Sequence, residues 1–588
     1  MFEAGIYPEI LKIAHVTCVW KRSGLKSDKS SYRPISLLPT LGKVCESIIH
    51  NRLLSHIIDN NLISDRQAAY LKGDSTTNQL LYIVHMIRTS WSRGEVTHGA
   101  FLDVSSAFDK VWHKGLLAKL EQVCVEGTCL QLLRSYLSDR KQVVVLDGNK
   151  SNIKDVEAGV PQGSRLGPLM FILYINDILE GLESEVMIFA DDTTILATGD
   201  NPAETTAIIN RDLEKVAVWA KKWKVTFNAA KSRDIIFTKK NFINCPGVVF
   251  NNIIVKRVTE HKHLGLWLTP TLDWAKHVHE TCLKANRKLY VLRSVKFLKR
   301  GTLDVLYKLQ IRSCIDYMLP VYFHTLKQTE KSRIEQIQYK AAKLASGALH
   351  YTSQIKLEKE MGWESISDRA DFLGLTLFRK IHTYNTRPLI RQCMPKQFEY
   401  NSIARGTYRT FQYQSSDFNK SFFPYFTCLW NKLPESLKSQ SDLDTFKLEL
   451  KDKIKPRKYK HFSKGNKIEN ALLTRIRVGR SHLNGHSYTI GLANTPECLC
   501  HFPCENTEHY LLYCFLFEQE RRTMFESVRN LVPKFDKITK KKQLEILLNG
   551  LDIDNNEMNH LNTKLQIIVQ KFILQTGRFE HPSTISSD

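Results

Sequence analysis

Residues 185–200, EVMIFADDTTILATGD, place two adjacent acids, Asp191 and Asp192, between two short apolar runs. Val186 to Phe189 and Thr193 to Leu196 have the β-branched and aromatic character of strands, and so short a connection predicts a tight β-hairpin. Asp is common in turns because it tolerates unusual backbone angles and bonds its own backbone. A double acid at a hairpin tip is therefore ordinary by itself. Its meaning depends on what else the chain brings to the same place.

A second acid stands at a strand end upstream. In HGAFLDVSSAFDKVWHKGLLAKL, residues 98–120, Asp103 follows an apolar strand and precedes a run that reads as a helix start. Capping that helix is the ordinary job for a lone Asp103 or Asp109. Carboxylates converging from separate strands, however, repel one another unless cations lie between them, and oxygen-only sites suit Mg²⁺. Two such ions about 3.5–4 Å apart activate an attacking oxygen and stabilise a leaving one in phosphoryl transfer. Between the acids lies AGVPQGSRLGPLMFILYINDI, residues 158–178, punctuated by Gly159, Gly163, Gly167, Pro161 and Pro168. Glycines there let backbone approach a ligand closely, and Gln162 is a candidate contact to a nucleotide or template.

The bulk composition narrows the partners. Lys and Arg total 84 against 60 acids, a net charge of +24, in a chain of 588 residues with an ordinary 43% hydrophobic content. Such an excess favours a polyanion, nucleic acid first and an anionic membrane surface second. No apolar run approaches the roughly 20 residues of a membrane helix, and the N-terminus lacks a secretory pattern. An intracellular protein with mostly reduced cysteines is expected. Helical and strand-like patterns alternate over residues 1–270, an α+β pattern, and residues 271–399 read as nearly all helix. Residues 400–470, with the run KDKIKPRKYKHFSKGNK, read as a basic linker, and 471–588 as a C-terminal region.

In order and spacing, these segments resemble the polymerase motifs of reverse transcriptases, specifically those of non-LTR (LINE-type, jockey-like) retrotransposons. YRPISLLPTLGKVCESII (32–49) resembles the finger segment, and QAAYLKGDSTTNQLLYIVH (67–85) the block after it. The family often has Gly-Phe-Arg where this chain has Ala69-Tyr70-Leu71. FLDVSSAFDKVW, GVPQGSRLGPLMFILYINDI and FADDTTIL look like the first three catalytic motifs; TFNAAKSRDIIF is similar to the fourth, and HKHLGLWL to the block closing the palm. The resemblance implies an α+β right-hand polymerase: fingers and palm with an antiparallel palm sheet, then a helical thumb and a small Cys/His region. It implies Mg²⁺ ligation, or Mn²⁺ in its place, by Asp103, Asp191 and Asp192 for two-metal nucleotidyl transfer. Phe108 corresponds to the gate residue under the incoming sugar, where a ring excludes a 2′-hydroxyl. Arg33 and Lys21 become triphosphate candidates, Gln162 and Gly163 nucleotide contacts, and Lys231 a candidate support for departing pyrophosphate. Asp109 is expected to cap a helix or join a salt bridge.

Nine of the 13 cysteines are scattered, while four fall between Cys498 and Cys514 in PECLCHFPCENTEHYLLYCFLF (496–517). Cys498, Cys500, Cys504, His509 and Cys514 offer more than the four soft ligands that tetrahedral Zn²⁺ needs. The resemblance points to Cys498, Cys500, His509 and Cys514, with Cys504 spare or replacing Cys498. It further implies an RNA template, a DNA primer or target, dNTPs, and a nuclease that is separate from or missing in this chain, which is read as part of a larger element. Nuclear action with a cytoplasmic ribonucleoprotein stage follows, with no membrane role. The competing expectations are an inactive remnant that only binds nucleic acid, and a cellular reverse transcriptase relative.

Overall fold

The alternation that reads as strands and helices folds, in the computed structural model, over residues 1–579 apart from 23, 243–244, 384–385, 387, 397–407, 412–415, 455–464 and 552–555. Two compact units result. The first comprises Met1–Trp274 with Phe378–Tyr400 and Tyr408–Thr427; the second is mainly Ala275–Leu377 and Cys428–Asp588.

In the first unit, β1 (Ile13–Trp20), β2 (Tyr32–Leu37), β4 (Lys141–Leu146) and β5 (Asn149–Lys150) form one sheet in the order β2-β1-β4-β5, with β6 (Lys154–Asp155) also pairing β4. The second sheet runs β12-β9-β3-β8-β7 and uses β3 (Val96–Leu102), β7 (Glu185–Phe189), β8 (Asp192–Gly199), β9 (Arg233–Phe237) and β12 (Lys256–Arg257). Its pairs are antiparallel except β9 with β12, which is parallel. Short hairpins of β10 (Val249–Phe250) with β11 (Ile253–Ile254) and β13 (His261–His263) with β14 (Leu266–Leu268) complete the strands.

Strand β3 is central, and all its residues are buried, including Thr97 and His98, whose ring Nε2 lies 2.9 Å from the equally buried Asp234 carboxylate. Helices α2 (Thr76–Ser92) and α6 (Pro202–Trp223) pack against it. Helix α6 starts cleanly because the Asn201 side chain accepts from the amides of Ala203 and Glu204 and Pro202 occupies the first turn. Helix α5 (Gly167–Tyr174) is apolar all round, and every residue but Pro168 is buried, as expected for a helix inside a core. Helices α1 (Thr40–Asp59), α3 (His113–Gln122) and α4 (Gly127–Leu137) complete the part that surrounds the site. The helix expected directly after Asp103 does not start there. A single 3-10 turn, Phe108–Lys110, intervenes and α3 begins at His113.

The second unit is helical among its described residues, from α7 (Ala275–Ser294) and α8 (Arg300–Leu306) to the C-terminal helices Glu518–Leu531 and Asn556–Gln575. Residues 416–454, expected within a basic linker, hold helices Phe422–Asn431 and Leu443–Ile454, with Phe426, Trp430 and Phe446 fully buried. Residues 455–464 of that basic run lie outside the described residues. Among the described residues, no helix is long and apolar enough to cross a membrane.

Candidate functional site

The expected hairpin forms. Phe189 pairs with Asp192, so Ala190 and Asp191 are the two turn residues. Ala190 has φ of 55°, the left-handed value required at the first central position of a type II′ turn and disfavoured for residues with a Cβ. Gln67 grips this turn: its Oε1 accepts hydrogen bonds from the amides of Ala190, at 3.2 Å, and Ala69, at 3.0 Å.

Asp103 lies one residue beyond β3. Leu102 pairs with Thr193, so one further step of the register sets Asp103 opposite Asp192. The segment resembling the fourth motif anchors it. Ser232 Oγ accepts from the Asp103 amide at 3.2 Å, and the Asn228 amide donates to the Asp103 carbonyl at 2.8 Å.

The acids act on one another. Burial, then the Asp191 and Asp103 charges, push the Asp192 carboxyl up to about 6. Asp192 is exposed and Asp191 half-buried. Burial and Asp103 raise Asp191 as well, and the Arg33 guanidinium opposes them. Crowded carboxylate oxygens are the donor chemistry that a hard divalent cation takes, and a cation bound beside such groups reverses their upward shift.

Around the acids, Arg33 is exposed on β2 and acts on Asp191. Lys21 is tied back by donation from Nζ to the Ser30 carbonyl at 2.9 Å. Lys231 is exposed in a turn whose amide donates to Asn228, and it is not among the charges that shift Asp191 or Asp192. The half-buried Phe108 ring stacks on buried Phe171, centroids 4.7 Å apart and planes at 25°. Asp109 does neither job expected of it: its Oδ1 accepts from Gln162 Nε2 at 3.0 Å, joining two motifs. Gly163 has φ of 120°, and a Cβ there would lie 2.5 Å from the Ser36 carbonyl oxygen. The Ser36 amide also donates to the Gln162 carbonyl at 2.7 Å, so a side chain at Gly163 would part the two segments.

In the second unit, Cys498, Cys500, His509 and Cys514 come together, their ligand atoms all within 4.8 Å of one another. Cys498 Sγ lies 3.7 Å from Cys514 Sγ, and Cys500 Sγ lies 3.2 Å from His509 Nε2. Tetrahedral Zn²⁺ with ordinary bond lengths needs about 3.8 Å between sulfurs and about 3.5 Å between sulfur and nitrogen, so this donor set fits. Cys504 is outside the group, beside Gly485. Phe502 stacks on the His509 ring at 4.1 Å.

Gln67, Phe171 and Tyr70, whose phenol is raised by burial and then by the Asp191 charge, escaped the sequence reading. Only the departure at Ala69-Tyr70-Leu71 hinted that the block around Gln67 has its own local solution.

Residues 21–268 match the family described as reverse transcriptase (RNA-dependent DNA polymerase). The chain is 30% identical over 396 residues to the RNA-directed DNA polymerase from mobile element jockey of Drosophila melanogaster, covering 65% of this chain and 43% of that protein. It is 29% identical over 372 residues to the probable RNA-directed DNA polymerase from transposon X-element of the same species, covering 62% and 40%. The chain thus spans less than half the length of these relatives. Among solved structures, apo telomerase from Candida tropicalis aligns at 12% identity and a TM-score of 0.37, over 66% of this chain and 64% of that one.

Proposed function

We propose, for a chain whose residues 21–268 belong to the reverse transcriptase family and which is related to the RNA-directed DNA polymerases of non-LTR retrotransposons, that it synthesises DNA on an RNA template. The observation that carries this reading is the meeting of Asp103 with the Asp191–Asp192 turn from two different strands, with Arg33 acting on Asp191. Asp103 and Asp191, with Asp192 beside them, would hold two Mg²⁺ ions (or Mn²⁺), which when bound activate the primer 3′-hydroxyl and stabilise charge on the transferring phosphoryl group.

The chain's own groups do the rest. Arg33 offers charge-assisted contacts to the dNTP triphosphate; Lys21 and Lys231 are assigned to the same phosphates, Lys231 to the departing pyrophosphate. Phe108, backed by Phe171, fills the space a 2′-hydroxyl needs and so selects deoxynucleotides. Gln162 and the side-chain-free Gly163 border the incoming nucleotide. Cys498, Cys500, His509 and Cys514 would hold a structural Zn²⁺ that fixes the fold of the C-terminal region.

In this reading, fingers and palm occupy residues 1–270, a helical thumb 271–399, a connecting segment 400–470 that includes the helices Phe422–Asn431 and Leu443–Ile454, and the Cys/His region 471–588. The partners are an RNA template, a DNA primer and a nuclease that nicks the target, working in the nucleus after a cytoplasmic ribonucleoprotein stage. The test is primer extension: purified chain, RNA template, annealed DNA primer, Mg²⁺ and dNTPs should yield extended DNA. Tight binding of the primer–template without extension would replace this reading by that of a nucleic-acid-binding remnant.

A further inference from the structure

A hairpin turn built on alanine rather than glycine needs an external restraint. Ala190 holds φ of 55°, and nothing in the turn's own sequence makes that conformation favourable. The restraint comes from Gln67, which is fully buried. Its Oε1 receives the amide hydrogens of Ala190 and Ala69 together. Two donors converging on one atom dictate which end of the amide is oxygen.

The neighbouring backbone repeats the grip: the Ala68 amide donates to the Ile188 carbonyl and the Ile188 amide to the Arg66 carbonyl, each at 3.0 Å. Gln67 Nε2, by contrast, is buried without a hydrogen-bond partner. A buried amide with one idle end is unfavourable, so the acceptor end must be what this position supplies.

We infer that Gln67 is a positioning residue, which locks the Ala190–Asp191 turn so that Asp191 points to the site shared with Asp103. The inference rests on the polymerase reading above. Without the Oε1 acceptor, the Ala190 amide, on a residue only 6% exposed, loses its partner. The turn can then relax toward commoner backbone angles and swing Asp191 away.

The experiment compares wild type with Gln67→Met, similar in length but lacking the acceptor, and Gln67→Glu. The latter keeps an oxygen at the Oε1 position and loses no hydrogen bond at the idle end. Expected for Q67M is a fall in kcat of about 10- to 100-fold, the scale of a misplacement near 1 Å. The dNTP KM and primer–template Kd should stay within about twofold, the misplacement acting on the reacting geometry rather than on binding. Hydrogen exchange across residues 186–192, measured without metal, should speed up in Q67M, and Q67E should restore most of both. Should Q67M fail to fold, Gln67→Asn, too short to reach Ala190, carries the same comparison. Unchanged kcat and exchange in Q67M would overturn the inference, as would losses that merely track the unfolded fraction. If wild type itself extends no primer, the polymerase reading falls first. An active wild type beside an unaffected Q67M removes only the role of Gln67.

Discussion

Phe108 and Phe171 lie ring on ring, 4.7 Å apart, one half-buried at the site and the other in the core of α5. In the proposed reading, in which Phe108 is the gate, the gate is a two-ring device, its outer ring stacked on an inner one. Phe108→Ala should relax discrimination between dNTPs and rNTPs by about 10- to 200-fold, the range of hydrophobic-pocket selectivity. Phe171→Leu should relax it less, in the same direction, because Phe108 keeps its ring and loses its backing. Ratios of kcat/KM for matched dNTP and rNTP read both.

Arg33 is exposed and acts on Asp191. Arg33→Ala should raise the dNTP KM about 10- to 100-fold, the equivalent of a charged hydrogen bond worth about 1.5–3 kcal/mol. Primer–template affinity should hold, which filter binding at fixed salt will check.

The Cys/His group makes a stoichiometric prediction. Purified chain should carry one zinc, lost in Cys500→Ser and His509→Ala but kept in Cys504→Ser. Chelation should lower the unfolding temperature of wild type, since structural zinc contributes folding free energy. Elemental analysis with thermal melts decides it.

Glu335 sets a pH dependence of stability. The Gln354 Nε2 group donates to both Glu335, at 3.0 Å, and Glu358, at 2.9 Å. Burial, then the Glu358 charge, push the Glu335 carboxyl up to about 7. The folded state therefore holds a proton that the unfolded chain releases near the usual carboxylate pKa. This stabilisation is complete below about pH 4.5 and fades as pH rises to about 7. Its full size is about 3 kcal/mol. Wild type should thus lose unfolding temperature from pH 5 to 8 more steeply than Glu335→Gln does.

Much of this site was legible because its signals are local. The Asp191–Asp192 hairpin and the strand before Asp103 announce themselves by apolar runs ending in acids, and the Cys498–Cys514 cluster by ligand spacing. Misreadings arose where the partner is distant. Asp109 suggested a cap because only its neighbours are visible in sequence, whereas Gln162, its partner, is 53 residues on. Gln67 sits in a loop without periodicity, and its burial comes from a hairpin far along the chain. The helices within 416–454 were masked by the Ser-, Asn- and Lys-rich residues around Phe426 and Trp430, which supply their buried faces.

The central claim is that Asp103, Asp191 and Asp192 perform nucleotidyl transfer together. Extension of a DNA primer on an RNA template, compared between wild type and Asp191→Asn, tests it most directly. Wild type should extend the primer, and Asp191→Asn should bind it with equal affinity yet extend it at least about 1,000-fold more slowly, the removed carboxylate acting on the transferring charge. Equal extension rates by the two proteins would contradict the claim.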